Sequence, residues 1–302
     1  AKMALRMGGA KFMAYLRDFG FGSRTGIELP GERRGFLRKP DTIKPIELAT
    51  TSFGQGVTST PLQLAMATAS LANDGVRMKP RLVSRVEDLH GIPEKVQRPA
   101  VAQRAVSAAT ARDVARMMVT VTEPGGTATR SRVPGYLVAA KTGTAQKVKD
   151  GRYSAARIGS MVGFVPADDP VIAIVVVVDE PTKGSRYGGT VAGPAFKEIA
   201  AGSLRYLGVA PDPVLLEQDL GGPIADAETP EEENDDAAVQ LAWTGAGWTL
   251  PDLSGQPLRA AVASLQPAGF ALEVVGSGAV VSQDPPPGTP VPPGGAVALV
   301  LQ

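Results

Sequence analysis

Three runs of β-forming residues, separated by short turns, restrict the fold of this chain more than any other feature. The first run begins at Tyr136, directly after the turn residues Pro134 and Gly135, and the second covers 158–165. The third, Val171 to Val178, is an unbroken apolar series rich in Val and Ile, which predicts a central strand buried on both faces. Consecutive strands joined by short turns predict an antiparallel meander.

Helical patterns flank these runs. Thr60, Pro61 and Gln63 supply an N-cap, a first-turn proline and a capping box, and they predict a helix that ends near Asn73. Two further helices are predicted over 107–122 and 194–207. The last of them places four apolar residues toward the sheet: Phe196, Ile199, Ala200 and Leu204. The fold class is therefore α/β in the broad sense, of the α+β type, with helices packed on an antiparallel sheet.

The first strand run becomes small and polar as it continues into Lys141, Thr142, Gly143 and Thr144. Strand alternation places Thr142 and Thr144 on one face and Lys141 on the other. Gly143 has no Cβ, so another backbone can approach it closely. A cleft that uses all three side chains must lie along a twisted strand edge, which offers amides, hydroxyls and a cation to an anionic, peptide-like ligand.

Composition excludes several kinds of chemistry. The chain of 302 residues has no cysteine, so thiol catalysis and disulfides are excluded, and its net charge of +1 argues against a nucleic-acid partner. His90 is the only histidine and lies in a polar turn, which favours a surface position over a catalytic triad. No His/Cys cluster indicates a metal, no cofactor is expected, and no apolar run reaches the roughly 18 residues of a membrane span.

The pattern changes after residue 209. Residues 210–247 are rich in Pro, Gly and Ala and contain the acidic run 231–236, which predicts a flexible linker between two independently folding units. An acidic docking tail is the alternative. Residues 248–302 form a compact unit, with a helix predicted over 257–265 and strands over 270–275, 279–282 and 296–301.

Two segments around the polar strand suggest a family. Glu123-Pro124-Gly125-Gly126-Thr127-Ala128 lies upstream, and Gly163-Phe164-Val165-Pro166 lies downstream. Together with Lys141-Thr142-Gly143, they resemble the class B penicillin-binding proteins, the peptidoglycan transpeptidases of cell division and elongation. The resemblance covers about residues 1–209 and implies a β-lactamase/transpeptidase-like antiparallel sheet flanked by helices.

The C-terminal unit resembles a PASTA domain, a small α+β appendage of some penicillin-binding proteins. The resemblance rests on the pattern Gln283-x-Pro285-x-x-Gly288 and its position at the end of the chain. Either this unit is a structural cap, or it binds a ligand of its own.

The family resemblance also implies roles for the polar strand. Lys141 resembles the lysine that supplies positive potential in the cleft, and Thr142 and Thr144 resemble the hydroxyls that hold the substrate carboxylate. The amide of Thr144 resembles one half of the oxyanion hole, and Gly143 permits the close approach. The implied partners are peptidoglycan stem peptides ending in D-Ala-D-Ala, β-lactams, and cell-wall synthesis or divisome proteins.

Two motifs of this family are absent from the chain. No Lys has a Ser three residues before it, and neither Asn73 nor Asn234 has a Ser two residues before it. The Ser-x-x-Lys nucleophile motif and the Ser-x-Asn motif are therefore missing, and in the family both precede the region seen here. We expect the chain to be the C-terminal, inactive part of a longer protein, held by a missing single-pass anchor in the bacterial inner membrane and facing the periplasm or cell exterior.

Two other functions remain open at this point. A serine β-lactamase shares the Lys-Thr-Gly strand, although the PASTA-like unit, the long linker and the segment from Thr25 to Glu32 count against it. A non-catalytic cell-wall-binding or β-lactam-sensing protein could keep the same fold. Paired-carboxylate chemistry at Asp179 and Glu180 is less favoured than a solvated strand end.

Overall fold

A computed structural model describes residues 1–149, 152–220, 241–245, 247–265 and 268–302. The acidic run at 231–236 lies outside these ranges. The described chain forms two compact units. One consists of Leu16–Phe36 and Ser59–Glu231, and the other of Ala1–Tyr15, Leu37–Thr58 and Glu232–Gln302.

The helices, in chain order, are α1 (Lys2–Met7), α2 (Gly9–Asp18), α3 (Pro45–Thr51), α4 (Pro61–Ala72), α5 (Ala108–Val119), α6 (Gly188–Tyr206), α7 (Pro213–Leu220) and α8 (Leu258–Leu265). The strands are β1 (Val76–Met78), β2 (Arg85–Glu87), β3 (Pro93–Val96), β4 (Val101–Arg104), β5 (Ala139–Lys149), β6 (Arg152–Val165), β7 (Ile172–Asp179), β8 (Ala242–Trp243), β9 (Trp248–Thr249), β10 (Ala271–Gly276), β11 (Val280–Asp284), β12 (Pro290–Val291) and β13 (Ala296–Leu301).

The principal sheet of the first unit has the order β5-β6-β7, and both pairings are antiparallel. The meander expected from the three strand runs is therefore present. Helix α6 packs on one face, where Phe196 and Leu204 are fully buried together with Met161 of β6. Helices α4 and α5 pack on the opposite face, where Met118 contacts the cluster around Phe164.

The prediction that Val171 to Val178 forms the central strand was wrong for the sheet that the structure describes. Strand β6 lies in the middle, and β7 lies at its side. Val177 is 40% exposed, whereas Met161 and Phe164 of β6 are fully buried on opposite faces. A run of Val and Ile reports β-propensity, but the position within the sheet depends on pairing with distant residues.

Helix α6 is longer than predicted. It begins at Gly188, so that Pro194 lies in its second turn instead of at its start. Phe196, Ala200 and Leu204 are buried, but Ile199 is 46% exposed, so the prediction that Ile199 faces the sheet was wrong. The spacing of 196, 200 and 204 continues one helical stripe, and 199 lies beside it.

Helix α4 begins as predicted. The hydroxyl of Thr60 accepts a hydrogen bond from Gln63 N at 3.1 Å, and the Gln63 side chain accepts one from Thr60 N at 2.9 Å. The Gln63 amide nitrogen also donates to the carbonyls of Ser23 and Arg34, at 2.7 and 3.0 Å. This buried amide therefore ties the loop around Thr25 to the helix as well as capping it.

Part of the predicted linker is structured. Residues 213–220 form α7, and Asp212 caps its start by accepting hydrogen bonds from Val214 N and Leu215 N at 2.7 and 3.2 Å. The predicted linker was therefore wrong for these eight residues. The proposed domain boundaries at 209 and 247 stay predictions.

In the second unit, β13 lies between β10, which is parallel to it, and β11, which is antiparallel. Helix α8 packs on this sheet, and Phe270, Val297 and Leu299 are fully buried in its core. Ile46 and Ala49 of α3 belong to the same core. Residues 37–58 and the C-terminal residues thus share one apolar cluster.

The Gln-x-Pro-x-x-Gly pattern has a structural role in this unit. The Gln283 side chain accepts a hydrogen bond from Leu253 N at 2.8 Å and donates one to Pro285 O at 3.3 Å. Gly288 N donates to Leu250 O at 2.7 Å. The pattern therefore fastens the proline-rich turn to the segment that leads into α8.

The carboxylate of Glu32 closes the loop that begins at Thr25. It accepts hydrogen bonds from the hydroxyl and N–H of Thr25, both at 2.6 Å, and from Gly26 N at 3.1 Å. The Thr25 hydroxyl, together with these two amides, lowers the pKa of Glu32 below its ordinary value. A carboxyl group with a lowered pKa stabilises the fold above its unfolded pKa of about 4.3 and loses that contribution as the pH falls through its folded pKa.

We therefore expect Glu32→Gln to lower the thermal midpoint at neutral pH and to approach the parent protein as the pH is lowered through the carboxyl range. Glu198→Gln, at an exposed position of α6, is the control and should follow the parent at each pH. Thermal unfolding at a series of pH values measures this. A Glu32→Gln deficit that stays constant from pH 7 down to pH 3 would contradict the assignment.

Candidate active site on strand β5

The predicted site residues lie on an edge strand. Strand β5 pairs with β6 and, within the described residues, has no strand on its other side. In the register of this pair, Lys141 is opposite Val162, Thr142 is opposite Met161, and Thr144 is opposite Gly159. The open edge of β5 therefore leaves main-chain groups available to an extended ligand.

Thr142 and Thr144 contact the elements on the α6 side of the sheet. The Thr142 hydroxyl lies 3.1 Å from the hydroxyl of Thr127, and the Thr144 hydroxyl accepts a hydrogen bond from Gly188 N at 3.1 Å. Both threonines are partly buried. Their shared side agrees with strand alternation, and these contacts fix where the two hydroxyl oxygens lie.

Glycines allow the backbones behind the site to approach closely. A Cβ on Gly143 would lie 2.6 Å from the hydroxyl oxygen of Ser160. A Cβ on Gly188 would collide with the carbonyls of Gly143 and Ser160, and a Cβ on Gly189 would collide with the carbonyl of Thr127. Helix α6 can therefore begin directly behind β5 only because Gly188 and Gly189 lack side chains.

Lys141 is exposed on the other side of the strand. Its ammonium group donates to the carbonyl oxygen of Thr142 at 2.7 Å and lies 3.5 Å from the Thr142 hydroxyl. The side chain thus bends along the strand edge toward the threonines. Although alternation places Lys141 on the opposite face of the strand, its side chain is long enough for the ammonium group to reach Thr142.

Two sources of positive potential meet at this edge. One is the Lys141 ammonium group, and the other is the N-terminus of α6, a helix of 19 residues that begins beside Thr144. Helix N-termini and lysines both favour anions. The site therefore suits a ligand with a carboxylate that lies near the two hydroxyls.

Asp179 and Glu180 form a separate cluster around Lys147. The Lys147 ammonium group lies 3.0 Å from Asp179 and 2.9 Å from Glu180. Hydrogen bonds to Glu180 and then Asp179 raise the pKa of Lys147 above its ordinary value. Because both carboxylates hold a cation, the arrangement is an ion-pair cluster at the strand end instead of an acid/base pair.

Two features are absent from the described parts of the chain. Within these residues, no group of three or more His, Cys, Asp or Glu side chains is arranged to hold a metal ion. Within the same residues, no helix has both the length and the apolar character needed to cross a bilayer.

The sequence predicted the site strand but not the residues that contact it from neighbouring elements. Thr127 belongs to the segment 123–128, which was used only for the resemblance, and Ser160 and Gly188 were not singled out. The glycine pair Gly188 and Gly189 was the available signal, because adjacent glycines before a helix indicate a close backbone approach.

An antiparallel sheet with helices on both faces and a Lys-Thr-Gly sequence on its edge strand fits the class of penicillin-recognising serine enzymes, for which Lys-Thr-Gly is one of three motifs. Comparison with known families agrees and is more specific. Residues 1–201 match the penicillin-binding protein transpeptidase domain, and residues 249–302 match the PASTA domain. The chain belongs to the penicillin-binding protein transpeptidase family.

Curated relatives match most of this chain. The chain is 41% identical over 215 residues to a probable peptidoglycan D,D-transpeptidase PenA of Neisseria meningitidis, a match covering 70% of this chain and 35% of that protein. It is 40% identical over 208 residues to stage V sporulation protein D of Bacillus subtilis, covering 68% and 32%. It is 37% identical over 213 residues to the peptidoglycan D,D-transpeptidase FtsI of Escherichia coli, covering 70% and 34%. The chain spans about a third of the length of these relatives.

Solved structures are similar in both fold and sequence. The transpeptidase domain of penicillin-binding protein 3 from Burkholderia pseudomallei matches with a TM-score of 0.62 and 35% identity, covering 70% of this chain and 61% of that one. Penicillin-binding protein 3 from Mycobacterium tuberculosis, complexed with ampicillin, matches with a TM-score of 0.64 and 34% identity, covering 69% and 48%.

The packing of α6 behind β5 can be tested with two glycine substitutions in one helix. Gly188→Ala should lower the free energy of unfolding by roughly 1–3 kcal/mol, because its methyl group meets carbonyls that cannot move aside easily. Gly202→Ala is the matched control, since no atom lies within 4 Å of its added Cβ. It should stabilise α6 by about 0.5–1 kcal/mol through helix propensity. Denaturant unfolding measures both, and equal effects of the two substitutions would rule out close packing at Gly188.

Proposed function

We propose that this chain is the C-terminal part of a serine-type peptidoglycan D,D-transpeptidase and forms one wall of its active site. The observation on which the proposal depends is the edge of β5, where Lys141, two hydroxyls and the N-terminus of α6 converge within a transpeptidase-family fold. The names of the relatives, which include peptidoglycan D,D-transpeptidases, support the same reaction.

The proposed reaction is acyl transfer from a stem peptide ending in D-Ala-D-Ala. A serine hydroxyl from the Ser-x-x-Lys motif, which this chain lacks, attacks the carbonyl carbon between the two D-Ala residues. Terminal D-Ala leaves, an acyl-enzyme forms, and the amine of a second stem peptide then displaces the serine. A β-lactam forms the same kind of ester but has no leaving group that diffuses away.

The residues of β5 act on this reaction by binding and by electrostatics. The hydroxyls of Thr142 and Thr144 hold the terminal carboxylate, and Lys141 supplies a positive charge to the carboxylate and to proton transfer. The amide of Thr144 donates to the developing oxyanion, for which one donor is worth about 3 kcal/mol of the barrier in such enzymes. The missing side chain of Gly143 leaves room for the Ser160 hydroxyl on the neighbouring strand. No metal or cofactor is needed for these steps.

The proposal also places the protein in the cell. A peptidoglycan substrate requires this region to face the periplasm or the cell exterior, with a single-pass anchor in the inner membrane upstream of the chain. Divisome or other wall-synthesis proteins are the expected partners, and the names of the relatives, a sporulation protein and peptidoglycan D,D-transpeptidases, support a role in wall synthesis.

In the full-length protein, Lys141→Ala should lower the second-order rate of penicillin acylation by about 10- to 100-fold, because an ionic hydrogen bond is worth roughly 1.5–3 kcal/mol. The thermal midpoint should change little, since Lys141 is exposed. Thr142→Val should have a milder effect, because it removes one hydroxyl and keeps the strand shape. Lys11→Ala, at an exposed position of α2, is the control. Parent-like acylation of Lys141→Ala would disprove the active-site assignment.

The 302-residue chain itself should form no covalent adduct with a labelled penicillin, because it lacks the nucleophile motif. Intact-mass spectrometry after incubation gives the answer directly. A stoichiometric mass increase equal to that of the penicillin would show that a nucleophile lies within these residues.

A further inference from the structure

We propose that Asp219 on helix α7 is a positioning residue for the site, because it fixes the turn from which strand β5 starts. This inference rests on the proposed function for its catalytic consequence. Helix α7 lies beyond residue 201, where the match to the transpeptidase domain ends. The structure thus adds a support for the site from outside the matched region.

Helix α7 holds both peptide groups of a single glycine. The N–H of Gly135 donates to Oδ2 of Asp219 at 3.0 Å, and the carbonyl of Gly135 accepts a hydrogen bond from Asp212 N at 2.8 Å. These two contacts come from opposite ends of α7. Gly135 has a φ of 79°, a left-handed conformation that favours glycine, so the helix holds this turn in one particular geometry.

The Asp219 side chain is shielded from solvent and makes a second contact. Its side chain is only 7% exposed, and its other oxygen pairs with the guanidinium of Arg132. A Cβ on Gly135 would lie 2.5 Å from Cβ of Pro211, so the chain before α7 packs tightly on the turn. The hydroxyl of Tyr136 adds a hydrogen bond to Val209 O at 2.7 Å.

This turn determines where β5 begins. Three residues separate Gly135 from the first residue of β5, and Lys141 follows two residues later. Within the described sheet, β5 pairs with a strand on one side only. Between the turn and β5, Ala167 N donates to Leu137 O at 2.8 Å and the Thr122 hydroxyl donates to Val138 O at 3.1 Å. The contacts of Gly135 therefore act together with these two hydrogen bonds to position the first residues of β5. A shift there moves Lys141, Thr142 and Thr144 together relative to a nucleophile on another element.

The substitution Asp219→Asn weakens the contacts of the carboxylate with little change in its size. Asparagine has nearly the same shape, but it offers one acceptor oxygen where Gly135 N–H and Arg132 each use one, and it removes the negative charge. Glu217→Gln is the matched control, because Glu217 is an exposed carboxylate two residues earlier on the same helix. Asp219→Glu keeps both acceptors and the charge, and it tests for rescue.

The first measurement is amide hydrogen exchange in the full-length protein, which does not depend on catalysis. In Asp219→Asn we expect exchange at 139–143 to rise about tenfold or more, while exchange at 172–179 of β7 stays at the parent level. Asp219→Glu should restore most of the protection, and Glu217→Gln should match the parent. A purely structural role would raise exchange in β5 and β7 together, in step with lost stability, and that result would overturn the proposal.

The second measurement is the acylation rate with a labelled penicillin. Asp219→Asn should acylate about tenfold more slowly than the parent, with a parent-like rate for Glu217→Gln. Equal rates for Asp219→Asn and Glu217→Gln would overturn the positioning role. If the parent itself does not acylate, the proposed function fails, and the exchange measurement still decides whether Asp219 positions β5.

Discussion

The hydrogen bond from Gly188 N to the Thr144 hydroxyl, with the close packing that permits it, is the constraint on which the rest of the site depends. It requires two glycines at the start of α6, because any side chain there would meet the backbone of β5 or of Thr127. The same contact orients a threonine oxygen and places the positive end of a long helix beside it. Geometry and electrostatics at the edge of β5 therefore come from one packing arrangement.

Features that depend only on residues close together in the sequence could be predicted from it. The capping box of Thr60 and Gln63 appears with both hydrogen bonds, and β13 covers the predicted residues 296–301. The start of α6 could not be predicted in the same way. Pro194 is a strong local signal for a helix start, but the contacts of Gly188 with β5 join residues more than 40 positions apart. Long-range packing prevailed over the local preference.

At the candidate site, too, features set by neighbouring residues could be predicted, and contacts between distant residues could not. Alternation along the strand was enough to place Thr142 and Thr144 on one side of β5. It could not supply Thr127 as a neighbour of Thr142, nor the position of β7 at the side of the described sheet. Helix α7 was missed for another reason, since composition suggested a linker. Asp212 followed by Pro213 is the same cap-and-proline signal that identified α4, and Asp212 does cap α7.

An edge strand that stays open for a peptide ligand is also open to a second copy of itself. Strands with unpaired edges are sites of unwanted association, and natural proteins protect them with charged side chains, lysine above all. Lys141 is exposed at the edge of β5, so two copies that paired there would bring two ammonium groups close together. A positive charge at this position therefore opposes edge-to-edge pairing of two copies along the strand that is proposed to bind a ligand.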